Sequence, residues 1–154
     1  MRPKSKREQF YQEVAEAMVM NTTRSFINLQ TLQVEVMFEE MYGLEEKKQR
    51  EREFEDEDKY LPINVITPSE SFRVMEAFTE TVKNRNLQTR LIQALEKKKP
   101  FVNFKTVVDN SPVRQAWFDF RDSQYSAKAK EWVEDNAPDE LKEKIKQLPA
   151  VFVA

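Results

Sequence analysis

Residues 67–82 have the sequence TPSESFRVMEAFTETV, which defines the start and the buried face of one helix. Thr67 is a good N-cap, Pro68 falls at the first helical position, and Glu70 follows the cap by three residues, the spacing of a capping box. Apolar residues then recur at helical intervals, at Phe72, Met75, Phe78 and Val82. The stretch therefore predicts an amphipathic helix that packs one face on a core.

Helical spacing continues towards the C-terminus. It predicts a helix over 87–96 that Pro100 stops, a short helix over 101–108, and a long helix from a Ser111 cap, with Pro112 at the first position, to about Asp135. A last short helix carries Leu141, Ile145 and Leu148. For the short helix over 101–108 and the long helix after it, the predicted inward positions are Phe101, Phe104, Val107, Val108, Val113, Ala116, Trp117, Phe120, Ala127 and Trp132. An aromatic core between Phe101 and Trp132 is therefore expected.

The N-terminal part is less uniform. Apolar spacing predicts a helix over 5–20, whereas residues 24–37 fit either a helix or a hairpin of two short strands. Residues 38–59 are dominated by charged side chains, which suit either a solvated helix held by ion pairs or a flexible linker. An extended connector is expected around residues 60–63, because Leu61 precedes a proline.

Composition excludes several kinds of chemistry. The 154-residue chain has one glycine and neither histidine nor cysteine. Phosphate-binding loops need several glycines, zinc sites need imidazole or thiolate ligands, and histidine is the commonest general base. The acidic stretch Glu51–Asp58 lacks the glycine turn of a calcium loop. We therefore expect a protein that is not an enzyme and has no cofactor and no metal.

Charge is distributed unevenly along the chain, although the net charge is only −2. Residues 39–59 hold ten acids against five bases, and residues 83–105 hold seven bases against Glu96 alone. The charged N-terminus has no apolar signal segment, and no apolar run approaches the ~18 residues of a membrane span. A cytoplasmic protein without membrane association is expected.

Residues 60–132 carry motifs that resemble a known family. They are SFRVMEAF at 71–78, Leu91 with Ala94-Leu95, KPF at 99–101 with Phe104-Lys105, WFDFRD at 117–122, and Ala129 with Trp132. In these motifs the chain resembles the bacterial uncharacterised protein family number 0158. Upstream, residues 26–33 resemble the family's strand–turn–strand pattern Phe-x-Asn-x-x-Thr-Gly-Glu, with Leu32 where the family usually has glycine. The resemblance favours the hairpin for residues 24–37.

Charged and aromatic residues inside these motifs are the candidate site. The leading hypothesis is a binding face that combines Arg73, Glu76, Lys105, Phe118 and Arg121. Phe118 is the ring most expected to face a partner, because it does not share a helix face with Trp117 and Phe120 together. The competing interpretation is inter-helix ion pairing, such as Glu76 with Arg121. A carboxylate pair of Glu76 with Asp119 or Asp122 is the one arrangement that suggests hydrolysis.

The basic stretch suggests a second kind of ligand. Lys97, Lys98, Lys99 and Lys105 lie beside aromatic residues, a combination that suits phosphate contacts and base stacking. The sequence pI near 5.5 opposes this interpretation, because nucleic-acid-binding domains are usually basic.

The whole pattern predicts a single domain over 1–154 of α+β class, predominantly helical with a small N-terminal hairpin. Its parts are a helix and hairpin over 1–37, a charged connector over 38–59 and a helical body over 60–148. The leading function is a non-enzymatic module that binds another protein or a second copy of itself. A nucleic-acid-binding accessory protein is the alternative, and an enzyme of unknown type ranks third.

Overall fold

The computed structural model describes residues 3–20, 23–37 and 43–151. These ranges form α1 (Lys6–Val19), β1 (Arg24–Asn28), β2 (Val34–Met37), α2 (Leu44–Phe54), β3 (Tyr60–Pro62), α3 (Pro68–Thr81), α4 (Arg85–Glu96), α5 (Pro100–Asp109), α6 (Arg114–Asn136) and α7 (Asp139–Gln147). The predicted fold class is confirmed: the protein is α+β and predominantly helical, with its small sheet in the N-terminal region. None of the described helices is long and apolar enough to cross a membrane.

Contacts between residues divide the chain into two compact units. The sheet unit comprises Met1–Val65 with Tyr125–Ala154, and the helical unit comprises Ile66–Gln124. The boundary falls inside α6, so this helix contributes residues to both units. The organisation of the whole chain as one domain stays a prediction.

The sheet unit is built on three antiparallel strands in the order β2-β1-β3. The hairpin is the correct alternative for residues 24–37, with Phe26 opposite Glu35 on β2. Residues 60–63 were expected as an extended connector; residues 60–62 are extended as expected, but they form strand β3 of the sheet. Tyr60 pairs with Asn28 in the ladder, and its ring packs 6.4 Å from that of Phe26, so burial and backbone pairing both hold the strand.

The hairpin turn is held by Asn28, one of the residues that the chain shares with the family pattern. The Asn28 Oδ1 atom accepts hydrogen bonds from the backbone N–H of Gln30 at 2.9 Å and of Thr31 at 3.1 Å. The N–H of Leu32 donates to the Asn28 carbonyl at 2.8 Å. These bonds close the turn with Leu32 at φ 65°, the left-handed region that glycine adopts without steric cost.

The charged segment is helical over half of its length, and residues 55–59 that follow the helix are turns and irregular structure. Residues 44–54 are α2, while residues 38–42 of the predicted connector lie outside the described residues. Arg50 pairs with Glu53 at 2.6 Å and with Glu35 on β2 at 3.2 Å. Phe54 is buried and stacks on Phe26, with ring centroids 4.1 Å apart. The ring contacts of Phe54 with Phe26 and Tyr60, together with the ion pair of Arg50 with Glu35, thus hold an otherwise polar helix on the sheet.

The helical unit begins with the predicted capping box. The Glu70 N–H donates to Thr67 Oγ1 at 3.1 Å, and the Thr67 N–H donates to the Glu70 carboxylate at 3.3 Å, so α3 starts at Pro68 as expected. The core of this unit is an aromatic cluster. The Trp117 ring centroid lies 4.9 Å from that of Phe104 and 5.3 Å from that of Phe78.

Several positions predicted to be inward are not. Phe101 is 44% exposed, and Ala116 and Ala127 are also exposed, while Trp132 is half-buried and belongs to the sheet unit. In α5 the apolar residues occupy more than one face of a ten-residue helix, so periodicity alone does not choose the buried one. The buried face is that of Phe104 and Val108. The aromatic core is therefore narrower than expected.

Candidate functional site

Phe118 lies between two arginine side chains on one side of α6. The guanidinium carbon of Arg114 is 4.6 Å from the ring centroid, and that of Arg121 is 4.9 Å from it. The three residues are spaced four and three positions apart, so they follow one another along one helix face. Both cations lie within the distance at which a ring attracts a guanidinium group.

Ion pairs extend this arrangement at both ends. Arg114 Nε donates to Asp109 Oδ1 at 3.3 Å, and Lys105 Nζ lies 3.6 Å from Asp109 Oδ2. At the other end, Arg121 Nη2 lies 3.1 Å from Asp122 Oδ1. We call this set the α5–α6 ladder; its members are Lys105, Asp109, Arg114, Phe118, Arg121 and Asp122.

The turn between α5 and α6 brings the two halves of the ladder together. Ser111 Oγ donates to the Val108 carbonyl at 2.8 Å and accepts from the Val113 N–H at 3.3 Å. Asn110 caps the end of α5 by donating from Nδ2 to the Thr106 carbonyl at 2.8 Å. Ser111 thus stabilises the turn and is not the N-cap residue directly before α6. That helix begins at Arg114, two residues after the expected start at Pro112.

Phe118 is only half-buried, although the adjacent residue Trp117 belongs to the core. Trp117 turns its ring into the aromatic cluster and is 9% exposed, and the next side chain on a helix points about 100° away. Both guanidinium groups lie over the Phe118 ring, while the Arg114 side chain remains 56% exposed and that of Arg121 36%. The ladder therefore presents positioned cations and part of a ring to solvent.

The structure connects three of the five residues of the predicted binding face. Lys105, Phe118 and Arg121 belong to the ladder. Arg73 and Glu76 are exposed on α3, and among the described residues no ion pair or hydrogen bond joins them to the ladder. The expected ion pair between Glu76 and Arg121 is absent from the described part of the chain, because Arg121 pairs with the adjacent Asp122.

Sequence reasoning missed Asp109 and Arg114 as site residues. The spacing of Arg114, Phe118 and Arg121 was a usable signal, since it repeats at four and three positions. The pairing of Asp109 with Arg114 was not readable, because it depends on the geometry of the turn between them.

The alternative basic site lies elsewhere in the helical unit. Lys97, Lys98 and Lys99 form the link between α4 and α5, and all three are exposed. Lys105 is also exposed, but its Nζ is directed to Asp109 in the ladder. Lys105 therefore belongs to the ladder by its ion pair, whereas no ion pair joins the lysine link to the ladder in the described part of the chain.

The carboxylates that suggested hydrolysis have other partners. Asp119 Oδ1 accepts a hydrogen bond from Gln115 at 3.0 Å, and Asp122 pairs with Arg121. Across residues 3–20, 23–37 and 43–151, no group of three acidic side chains is placed to hold a metal ion. Neither contact supports a catalytic pair of Glu76 with Asp119 or Asp122.

Fold and site together define a helix-rich α+β protein with an arginine-flanked aromatic ring on its surface. A sequence profile described as an uncharacterised protein family, UPF0158, matches residues 27–151. The chain belongs to this family, and the resemblance seen in its motifs is confirmed. Comparison with curated proteins found no match, and neither did comparison with solved structures.

Proposed function

We propose that the protein is a non-enzymatic interaction module that binds a protein partner through the α5–α6 ladder. The observation that supports this proposal is the half-exposed ring of Phe118 held between two guanidinium groups. Arginine and aromatic side chains contribute most of the binding energy in many protein interfaces. The cytoplasmic location stays a prediction.

The ladder is well prepared for binding because its long side chains are already positioned. Ordering a flexible side chain at an interface costs roughly 0.5–1.5 kcal/mol. Arg114 is held by both Asp109 and the Phe118 ring, and Arg121 by both Asp122 and the same ring. Less conformational entropy is therefore lost when a partner binds these two guanidinium groups.

The chemistry of the ladder indicates the chemistry of the partner. A planar guanidinium group binds a carboxylate in a two-point geometry, and a ring edge binds an apolar side chain. We therefore propose a partner surface that combines a carboxylate with an apolar side chain. That partner is either a different protein or a second copy of this chain.

The test compares Phe118→Ala with Phe101→Ala, two alanine variants of partly exposed phenylalanines in the helical unit. A partner captured from the native cell extract by the wild-type protein, then purified, is expected to bind Phe101→Ala normally and Phe118→Ala at least tenfold more weakly. Light scattering of the purified proteins tests self-association with the same pair. The proposal would be contradicted if both variants bound the captured partner equally and also showed equal self-association.

A stability measurement separates binding from packing. Truncation of a buried phenylalanine costs about 3–5 kcal/mol of unfolding free energy. Phe118→Ala is expected to cost about 1–2 kcal/mol, since the ring is only partly buried and its two cation–ring contacts are worth about 0.5–1 kcal/mol each at exposed sites. A loss on the scale of a core residue would assign Phe118 to packing instead.

A further inference from the structure

The two units of the chain carry opposite net charge. Ile66–Gln124 holds ten basic and seven acidic side chains, and the remainder of the chain holds fifteen basic and twenty acidic ones. The helical unit is thus basic, although the pI of the whole protein is acidic. An argument against polyanion binding from the overall pI does not apply to that unit, because surface potential depends on the local distribution of charge.

Positive charge in the helical unit is concentrated on the lysine link and on α4, which holds Arg85 and Arg90 against Glu96. Lys97, Lys98 and Lys99 are exposed, and the backbone of the link is held in place. The Lys97 N–H donates to the Ala94 carbonyl, and the Lys99 carbonyl accepts from the backbone and side-chain nitrogens of Asn103 at 3.0 and 2.9 Å. Three ammonium groups are therefore displayed from a fixed turn.

A groove of about 270 Å³ lies between α4 and α5, beside the lysine link. The α4 side supplies Arg90 and Gln93, Lys97 lines the groove just beyond the end of α4, and the α5 side supplies Asn103 and Thr106. The lining thus holds two cations, three neutral polar side chains and the apolar Ala94 and Val107, but no carboxylate. Arg90 and Lys97 are seven positions apart, which corresponds to about 10 Å along a helix axis. This spacing suits an extended polyanion rather than a single small ion.

An exposed ring lies close to the lysine link in the chain. Phe101 is 44% exposed, and it follows Lys99 by two residues in the first turn of α5. By helical spacing, its side chain points away from Asn103 and the groove side of α5. A strand can contact both the groove and the ring by crossing the lysine link.

We propose that this surface, defined by Arg90, Lys97, Lys98, Lys99 and Phe101, binds single-stranded nucleic acid. The four cations contact successive phosphates, and the ring of Phe101 stacks on a base; this combination of basic groove and aromatic ring is the usual one for single strands. The surface shares no residue with the α5–α6 ladder, so it is a second binding function of the same helical unit.

The test is fluorescence anisotropy of the full chain with labelled oligothymidine and oligouridine of about 15 nucleotides, long enough for the usual site size. Four phosphate contacts predict that affinity falls about 50-fold between ~50 and ~200 mM salt. Substitution of Lys97, Lys98 and Lys99 by Glu is expected to weaken binding at least tenfold. Phe101→Ala is expected to weaken it about tenfold, the scale of one lost stacking contact.

The matched control carries Glu at Lys6, Lys48 and Lys130, three exposed lysines of the sheet unit. It has the same net charge as the link variant and is expected to bind within about twofold of wild type. Equal weakening by both variants would overturn the proposal, and so would affinity that does not change with salt. If the link variant fails to fold, Gln at the same three positions removes the charge without reversing it.

A final arm distinguishes nucleic acid from an acidic protein segment. Unlabelled oligothymidine should displace the labelled strand at a much lower concentration than a polyglutamate peptide of similar length. Displacement by polyglutamate at an equal concentration would overturn the assignment to nucleic acid and identify a general polyanion surface.

Discussion

Lys144 on α7 donates a hydrogen bond from Nζ to the Leu29 carbonyl at 2.8 Å, although 115 positions separate the two residues. Leu29 directly follows β1 and is buried, so its carbonyl has little access to water. The bond fastens the C-terminal helix to the hairpin within the sheet unit. It also gives a buried carbonyl a charged donor, and such bonds are stronger than neutral ones.

Replacement of Lys144 by Met should therefore destabilise the protein. Methionine keeps the aliphatic stem but removes the donor, leaving the Leu29 carbonyl unsatisfied. We expect a loss of about 1 kcal/mol of unfolding free energy, measured by urea denaturation, at the low end for a charged hydrogen bond because Lys144 is partly exposed. Lys146→Met is the control, since its side chain is 73% exposed and pairs only with nearby Glu143 in the described residues; equal losses in both variants would argue against the role of this bond.

Phe104→Ala and Phe101→Ala test the corrected burial of α5. Phe104 is 1% exposed and packs against Trp117, so its truncation should cost about 3–5 kcal/mol of unfolding free energy. Phe101 is 44% exposed and should cost less than about 1 kcal/mol. Thermal and urea unfolding of the two variants, compared side by side, check this difference. Comparable losses would mean that both rings are core, as the periodicity alone had predicted.

Local signals in the sequence predicted the elements that local chemistry determines. The capping box of Thr67 and Glu70 determined the start of α3, and the shared Asn28 and Thr31 of the family pattern favoured the hairpin correctly. In contrast, β3 has only three residues, so it is too short to show a strand period. It exists because Tyr60 packs on Phe54 and Phe26, which no local pattern encodes.

The candidate site shows the same difference between features that local sequence predicts and features that depend on tertiary contacts. Phe118 was predictable as a partly exposed ring, because adjacent residues of a helix cannot share one buried face. Arg114 was not recognised, because its two partners lie on opposite sides: Asp109 before the turn and Phe118 within α6. Side chains held by contacts across a turn need the turn geometry, which follows from Ser111 and its hydrogen bonds.

Leu32 provides a test of backbone conformation. It is the non-glycine residue with positive φ among those that the structure describes. A left-handed conformation costs a side chain with a Cβ about 1–2 kcal/mol, and glycine is free of this cost. We expect Leu32→Gly to be about 1 kcal/mol more stable than Leu32→Ala in urea unfolding. At Gln30, in the same turn, Ala should be at least as stable as Gly; the same order at both positions would be inconsistent with strain at Leu32.

Tyr11 gives the sheet unit a pH dependence at alkaline pH. Burial raises the pKa of the Tyr11 phenol above its ordinary value of 10.0, Glu134 raises it further, and Arg7 opposes them. The folded state thus favours the neutral phenol, and the resulting stability is complete below the unfolded pKa and is lost as pH rises through the folded pKa. Above about pH 10, wild type should lose stability more steeply than Tyr11→Phe. Glu134→Gln should lessen the slope in part; parallel slopes for all three proteins would contradict this assignment.

The coupling within the ladder is measurable by a double-mutant cycle of Arg114→Ala and Phe118→Ala. The Arg114 guanidinium is 4.6 Å from the ring and 56% exposed, so its attraction to the ring is that of an exposed cation–ring pair. The two substitutions should therefore be non-additive by about 0.5–1 kcal/mol in unfolding free energy. The cycle of Arg114→Ala with Phe101→Ala should be additive, because Phe101 belongs to a different surface. Additivity in both cycles would mean that Arg114 is not held by the ring, and the proposed positioning of its guanidinium group for a partner would lose its basis.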